Sequence, residues 1–159
     1  CATSTVFANR YWKRPRLHFS PGNAERLRHS NESFDVLVNV ESSHCYVHMD
    51  RFVAHAYRIL RPGGHFLVAD FRRASQLDEL RAELQKPGFL LVEEENLNEG
   101  VLLALDADDA RKREFIEEKV DERRKPMFEM FAAVIDSPMY KAFKSDESTY
   151  KRYVLKKPQ

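Results

Sequence analysis

The sequence has little of the residue types and patterns that mark secreted and membrane proteins. Its 159 residues include only two cysteines, Cys1 and Cys45, which are too few for the disulfide framework of a small secreted domain. No apolar run approaches the ~20 residues that a membrane-spanning helix needs, and no charged-then-apolar secretory signal opens the chain. We therefore expect a reduced, cytoplasmic setting without a membrane span.

The sequence also lacks an excess of charge of either sign. Its 26 basic and 25 acidic residues give a formal net charge of +1, so no global field favours nucleic acid or an anionic membrane. Basic runs do occur at residues 13–16, 111–113 and 123–125. Acidic residues interleave with the last two, as on a solvated helix face with i,i+4 pairs. We expect no nucleic-acid partner.

Glycine is scarce, but two adjacent glycines mark the most informative segment. Arg61-Pro62-Gly63-Gly64 leads into the apolar stretch 65–71, one helix length after the apolar run Phe34–Val40. This pattern predicts a strand, a helix, a glycine turn and a parallel strand, so the fold class is α/β. The two strands are followed by or end in Glu41 and Asp70, at the sheet edge where such folds bind ligands.

Periodicity assigns the remaining elements. Helical spacing of apolar residues predicts a helix over 49–60 and amphipathic helices within 96–148, while alternation predicts a closing strand over 149–155. The run Phe34–Val40 suits a central strand covered on both faces. Further predictions are a helix over 3–12, a strand at Arg16–Phe19, a capping box of Ser75 and Asp78, and a strand beginning at 89–92.

Three segments resemble class I S-adenosylmethionine-dependent methyltransferases: Phe34–Val40, Glu41-Ser42-Ser43-His44-Cys45-Tyr46 and Leu60-Arg61-Pro62-Gly63-Gly64. The second segment and the tail 139–153 resemble the phthiotriolone and phenolphthiotriolone dimycocerosate methyltransferase group. The resemblance implies a Rossmann-like sheet with an antiparallel last strand, a helical cover over 96–148, and S-adenosylmethionine as cofactor. The five glycines form no Gly-x-Gly-x-Gly loop. We therefore expect residues 1–159 to be one methyltransferase-like domain that enters the fold partway.

His44 and Asp70 are the candidate catalytic residues. His44 lies in a polar loop after a strand, where an imidazole with an ordinary pKa near 6.5 can take a proton from a substrate hydroxyl. Related O-methyltransferases place a base at this position. Asp70 would then orient His44 by accepting a hydrogen bond. The alternatives are a loop-packing histidine and a strand-end carboxylate paired with Arg72 or Arg73.

Asn23, Ala24 and Glu41 are the candidate cofactor residues. Gly22-Asn23-Ala24-Glu25 resembles the Gly-Asp-Ala-Glu motif in which the acid accepts the adenine amine and the next backbone amide meets the ring. An asparagine replaces that acid here, which removes charge assistance. A turn stabilised by Asn23 itself is the alternative. Glu41 would contact the amino-acid end of the cofactor or cap the following loop.

Tyr46, Phe128, Phe131 and Tyr140 are the candidate substrate contacts, as aromatics that could line a lipophilic pocket, although aromatics at helical spacing also form cores. The histidines and cysteines show no metal-ligand spacing. The resulting hypothesis is an O-methyltransferase acting on a hydroxyl of a lipophilic polyketide, phenol or sterol-like molecule. The alternative is a non-catalytic interaction or structural subunit, and a homodimer or larger complex fits both.

Overall fold

A computed structural model, which describes residues 2–159, contains one four-stranded mixed sheet. Its strands are β1 (Phe34–Val40), β2 (Leu60–Arg73), β3 (Leu90–Asn96) and β4 (Ser148–Lys156). The sheet order is β1-β2-β4-β3, with β1 and β2 parallel. The last strand, β4, lies between β2 and β3 and is antiparallel to both. This arrangement confirms the predicted α/β class and the antiparallel last strand.

Six α-helices accompany the sheet among the described residues: α1 (Ala2–Tyr11), α2 (Met49–Ile59), α3 (Leu77–Gln85), α4 (Asn98–Lys119), α5 (Lys125–Phe131) and α6 (Pro138–Lys144). The last three helices fill the segment predicted to be helical between residues 96 and 148. Across residues 2–159, no helix is both long and apolar enough to cross a bilayer.

The core lies between one face of the sheet and helices α2 and α3. Five apolar residues of α2 recur at helical spacing and are buried, as its 3.6-residue period requires: Met49, Phe52, Val53, Ala56 and Ile59. The buried cluster comprises Met49, Phe52, Val53, Ala56, Leu60, Phe66, Val68, Leu80, Leu84, Phe89, Tyr153 and Leu155. This core holds the carboxyl ends of β1 and β2 side by side.

The prediction that Phe34–Val40 is a central strand covered on both faces is wrong for these residues. Within residues 2–159, β1 pairs only with β2 and therefore forms the edge of the sheet. Val36, Val38 and Val40 project from one face and are 51–60% exposed. Only Phe34 and Leu37 of this run pack against the core.

The predicted glycine turn is wrong, because Gly63 and Gly64 lie within β2, which begins at Leu60 directly after α2. Each of the two glycines has its own structural reason. Gly63 adopts a φ of +79°, a left-handed conformation that side chains with a Cβ disfavour. A Cβ on Gly64 would lie 2.9 Å from the carbonyl oxygens of both Arg61 and Asp35. Because Asp35 is on β1, the missing side chain at residue 64 lets β2 approach β1 closely. Gly64 thereby sets the spacing of the two strands that carry the candidate site.

Two local predictions are wrong: the strand at Arg16–Phe19 and the capping box of Ser75 and Asp78. Arg16–Phe19 forms no strand, because the backbone N–H and C=O of Phe19 bond the Asn9 side chain instead of another strand. The Ser75 and Asp78 capping box is also absent: Ser75 lies in a short 3₁₀ turn, and α3 begins after it, at Leu77, without a side-chain cap.

Asn98 fastens the helical segment to the sheet. Its buried side-chain amide donates to the carbonyls of Phe143 and Ser148 and to the carboxylate of Asp146, at 2.7–3.1 Å. Its side-chain oxygen accepts the backbone N–H of Tyr150 at 2.7 Å. One residue at the start of α4 therefore holds both the end of α6 and the start of β4.

Candidate active site

Asp70 is the centre of the candidate site. Asp70 lies near the carboxyl end of β2 and is 1% exposed. Its buried carboxylate accepts four hydrogen bonds. The donors are Ser43 Oγ at 2.5 Å, the backbone N of His44 at 3.0 Å, His44 Nδ1 at 2.7 Å and the backbone N of Phe71 at 2.9 Å. Residues from the ends of two parallel strands thus converge on one buried carboxylate.

The Asp70 carboxylate is held in its ionised form. Burial alone raises its pKa, but hydrogen bonds from Ser43 and His44 and the positive charge of Arg72 outweigh burial, so the pKa lies below its ordinary value. The nearest guanidinium nitrogen of Arg72 is 3.4 Å from the carboxylate. Both sequence interpretations of Asp70 therefore hold in part, because it contacts His44 and Arg72 at once.

This contact fixes the tautomer of His44. An ionised carboxylate only accepts hydrogen bonds, so Nδ1 of His44 must carry the proton that it shares with Asp70. In the neutral ring Nε2 then holds a free lone pair, and no described residue forms a hydrogen bond with it. The ring packs against Phe71 with centroids 4.6 Å apart, and the side chain is 28% exposed. This is the arrangement of a histidine that can accept a proton from outside.

His44 opens into a cleft of about 840 Å³ between the loop after β1, the end of β2, and helices α2, α3 and α6. Its lining is mixed, with charged side chains on several walls and apolar contributions from Met49, Phe71, Leu80 and Met139. A cleft of this size accommodates part of an organic acceptor molecule. Among the described residues, no group of three or more histidine, cysteine, aspartate or glutamate side chains could hold a metal ion.

The Gly-Asn-Ala-Glu turn lies at a second cleft, formed by residues 20–23 and 26–29. Asn23 begins a short 3₁₀ helix, and its side-chain oxygen accepts the backbone N–H of Glu25 at 2.9 Å. Ala24 packs against the core. The Glu25 carboxylate accepts the backbone N–H groups of Val47 and His48, at 2.8 and 3.0 Å. The turn is therefore tied to the loop that carries His44.

These contacts allow a test of fit to the adenine of S-adenosylmethionine. The Asn23 side-chain oxygen serves its own turn, as the alternative interpretation requires, but a carbonyl oxygen has a second lone pair. A Cβ on Gly22 would meet nothing within 4 Å, so the turn has open space beside it. The residues present can accept the adenine end of the cofactor at this turn.

Glu41 adopts a φ of +48°, an uncommon backbone conformation for a non-glycine residue and one found often at functional sites. Burial and the neighbouring Glu41 carboxylate both raise the pKa of the Tyr150 hydroxyl. Glu41 is therefore engaged with β4, at the same edge of the sheet as Asp70.

The four aromatic candidates separate in the structure. Tyr46 lines the His44 cleft, and its hydroxyl is 3.0–3.1 Å from Ser42 Oγ and the Asn39 amide. Tyr140 is buried and donates to Asp106 at 2.7 Å. Phe128 and Phe131, on α5, do not line the cleft, and Phe131 is 85% exposed. Helical spacing identified α5 but gave no information about which way it faces.

Sequence reasoning missed Ser43, which donates to Asp70, and Glu25, which ties the two loops together, and it named Arg72 only as one of two arginines that could pair with Asp70. Ser43 adjoins His44 and Arg72 follows Asp70 by two residues, so proximity along the chain was the available signal. For Glu25, the available signal was its place in the Gly-Asn-Ala-Glu motif.

Comparison with known proteins supports the resemblance. A family described as a methyltransferase domain matches residues 2–68. The chain is 32% identical over 148 residues to phthiotriol/phenolphthiotriol dimycocerosates methyltransferase of Mycobacterium leprae, covering 90% of this chain and 53% of that protein. It is 35% identical over 82 residues to a fatty-acid O-methyltransferase of Mycolicibacterium smegmatis, covering 52% of this chain and 30% of that protein.

A solved structure of Haemonchus contortus phosphoethanolamine N-methyltransferase 2, with phosphomonomethylethanolamine and S-adenosylhomocysteine, superposes with a TM-score of 0.68. The identity is 19%, over 86% of this chain and 36% of that one. The chain has the class I methyltransferase fold. Its predicted similarity to the dimycocerosate methyltransferase group is likewise confirmed, and the chain spans about half the length of the M. leprae relative.

Proposed function

We propose that this class I methyltransferase domain serves S-adenosylmethionine-dependent O-methylation of a hydroxyl on a lipophilic small molecule, with His44 as general base. The observation that carries the proposal is the 2.7 Å contact between His44 Nδ1 and the buried Asp70 carboxylate, within a cleft. The names of the relatives support the reaction and the substrate class, since they act on dimycocerosates and on fatty acids.

In this proposal, the step that this chain's own residues perform is the removal of a proton from the acceptor hydroxyl. When bound, S-adenosylmethionine supplies the electrophilic methyl group. His44 Nε2 removes the proton of the acceptor hydroxyl, so that the oxygen carries the electron pair that attacks. Asp70 stabilises the imidazolium that forms and keeps the ring in place. Asn23 and Ala24 hold the adenine end, and the mixed lining of the cleft suits the polar, hydroxyl-bearing end of an otherwise apolar acceptor.

His44→Gln tests the base. In the protein at its native length, we expect turnover to fall 10²- to 10⁴-fold, the range for loss of a general base, with little change in cofactor affinity. His48→Gln is the matched control, because His48 is exposed and makes no side-chain cap to α2. Turnover of the His44 variant equal to that of the control would remove His44 from the mechanism.

Phe128 and Phe131 remain proposed acceptor contacts through the helical segment. They lie on α5, which packs against α6, and α6 contributes Met139 to the cleft. Because Phe131 is so exposed, Phe131→Ala should change the free energy of unfolding by less than about 0.5 kcal/mol. A selective rise in KM for a lipophilic acceptor, with the KM for the methyl donor unchanged, supports the contact. If neither KM changes, Phe131 does not contact the acceptor.

A second candidate function is an interaction subunit without catalysis. It is favoured by the exposed valines of β1, which form an apolar face along one edge strand of the sheet. Titration calorimetry with S-adenosylmethionine, on residues 1–159 and on the protein at its native length, discriminates: binding by the protein at its native length supports the enzyme, and no binding by either supports the interaction subunit. We expect weak binding or none from these residues alone, because only the adenine turn and the strand-end residues are present. Micromolar affinity would show that the glycine loop is dispensable and would weaken this second candidate.

A further inference from the structure

Arg72 contacts the His44–Asp70 pair from the opposite side of the carboxylate. Its side chain is 13% exposed, and one guanidinium nitrogen lies 3.4 Å from Asp70 Oδ2. The same nitrogen donates to the carbonyl of Phe71 at 2.7 Å, and the other donates to Ser43 Oγ at 3.0 Å. The guanidinium is therefore held by three partners rather than free to leave the site.

Ser43 connects Arg72 to Asp70. Its residue is 2% exposed, and its Oγ accepts from Arg72, so the hydroxyl proton is directed to Asp70 Oδ2 at 2.5 Å. His44 bonds the other carboxylate oxygen through Nδ1. Each oxygen of Asp70 thus has its own set of donors, and the carboxylate cannot rotate without breaking several hydrogen bonds at once.

One carboxylate shared between an imidazole and a guanidinium has a chemical consequence. A carboxylate paired only with a histidine stabilises the imidazolium and raises the histidine pKa, which leaves less of the neutral base near pH 7. A second cation on the same carboxylate offsets part of that stabilisation, and it also disfavours a positive charge on the nearby ring.

We propose that Arg72, acting with Ser43, is a positioning residue that locks Asp70 onto His44 and limits how strongly Asp70 can stabilise a positive charge on the imidazole. This inference deepens the proposed function and rests on His44 being the base. It assigns a role to two residues that touch neither substrate nor cofactor in the proposed mechanism.

Other charged groups face the cleft but do not replace Arg72. They are Asp50 on α2, Arg73 on β2, Glu79 and Glu83 on α3, and Lys86. Glu41, after β1, acts on Tyr150 of β4. Tyr150 of β4 also senses Asp70, but burial and Glu41 raise its pKa, so it stays neutral. Among residues 2–159, only His44 and Arg72 lie within ion-pair distance of Asp70. The local charge balance at Asp70 therefore depends on Arg72.

The test is an NMR titration of His44 in the Arg72→Met protein at its native length, in which the signals of the ring nitrogens are measured as the pH changes. We expect the His44 pKa to rise by about one unit, the scale of one nearby charge. In the proposed enzyme, kcat/KM should then fall more at pH 6 than at pH 8.5, by at most about tenfold. Arg73→Met is the matched control, since Arg73 is adjacent and exposed with no ion pair to Asp70, and it should shift the pKa far less.

Arg72→Lys guards against misfolding, because it keeps the charge and should return the His44 pKa most of the way to the wild-type value. A His44 pKa that is equal in the Arg72→Met and Arg73→Met proteins would overturn the inference. So would a pKa that stays raised in a folded Arg72→Lys protein. The NMR titration requires no turnover, so it separates this inference from the proposed function: a shifted pKa with a fully active His44→Gln enzyme would refute only the catalytic role of His44.

Discussion

Replacing Asp70 by asparagine removes a charge from the most highly bonded buried group in the site. The amide keeps the shape of the carboxylate but has one accepting oxygen and one donating nitrogen. Four hydrogen-bond donors converge on the two carboxylate oxygens. In asparagine one of these oxygens is replaced by an NH₂ group, so the donors that bound that oxygen would face an N–H instead of an acceptor. If that N–H faces His44 Nδ1, the ring must place its proton on Nε2 and cannot act as a base.

The expected cost to stability follows from the hydrogen bonds lost. Bonds to a charged group contribute about 1.5–3 kcal/mol each, and Ser43 can rotate its hydroxyl to recover part of the loss. We therefore expect Asp70→Asn to lower the free energy of unfolding by about 3 kcal/mol at pH 7. Asp35→Asn is the control: Asp35 pairs with Arg61 at 2.6 Å but is well exposed, so its loss should cost less than about 1 kcal/mol.

The stability difference should also depend on pH in a defined direction. The pKa of Asp70 in the folded protein is below its ordinary value of 3.8, so its contribution is fully present above about pH 5 and is lost as pH falls through the folded pKa. The gap between wild type and Asp70→Asn should therefore shrink below pH 4. Urea unfolding at pH 7 and pH 3.5 measures both gaps. A gap no larger than that of Asp35→Asn at pH 7, or one that widens in acid, would refute the reasoning.

Three further predictions concern the framework of the site. Gly64→Ala should lower the free energy of unfolding by ~1–3 kcal/mol, because the new Cβ would meet two carbonyl oxygens. Gly22→Ala is the control and should not destabilise the protein, because its Cβ would meet open space. Thermal denaturation compares the two variants. Asn98→Ala should cost ~3 kcal/mol in urea unfolding because buried partners lose their bonds, and a cost under 1 would show that the helical segment is held elsewhere. Tyr153→Phe should leave stability unchanged or raise it by up to ~1 kcal/mol in the same assay, because its buried hydroxyl has no partner among the described residues, and a clear loss would reveal one.

The sequence was sufficient for features that depend on neighbouring residues or on period. Helical spacing over 49–60 and alternation over 149–155 predicted α2 and β4 because burial repeats with the period of each element. His44 and Asp70 could be paired in advance because His44 follows one strand and Asp70 lies near the carboxyl end of the parallel strand beside it, and the carboxyl ends of parallel strands lie side by side. Their 2.7 Å contact agrees with that reasoning.

Other features depend on which surfaces meet, and only the tertiary structure decided them. The apolar run 34–40 fits a central or an edge strand equally well, and the alternation at 16–19 produced no strand because Asn9 took the hydrogen bonds of Phe19. Phe131 has the spacing of a core residue but faces outward. Arg72 and Arg73 were equal candidates to pair with Asp70, and only the fold showed that the Arg72 guanidinium contacts both Ser43 and Asp70. The spacing of apolar residues along the chain determines which face of a helix or strand they share. Which other element packs against that face depends on contacts between residues far apart in the sequence.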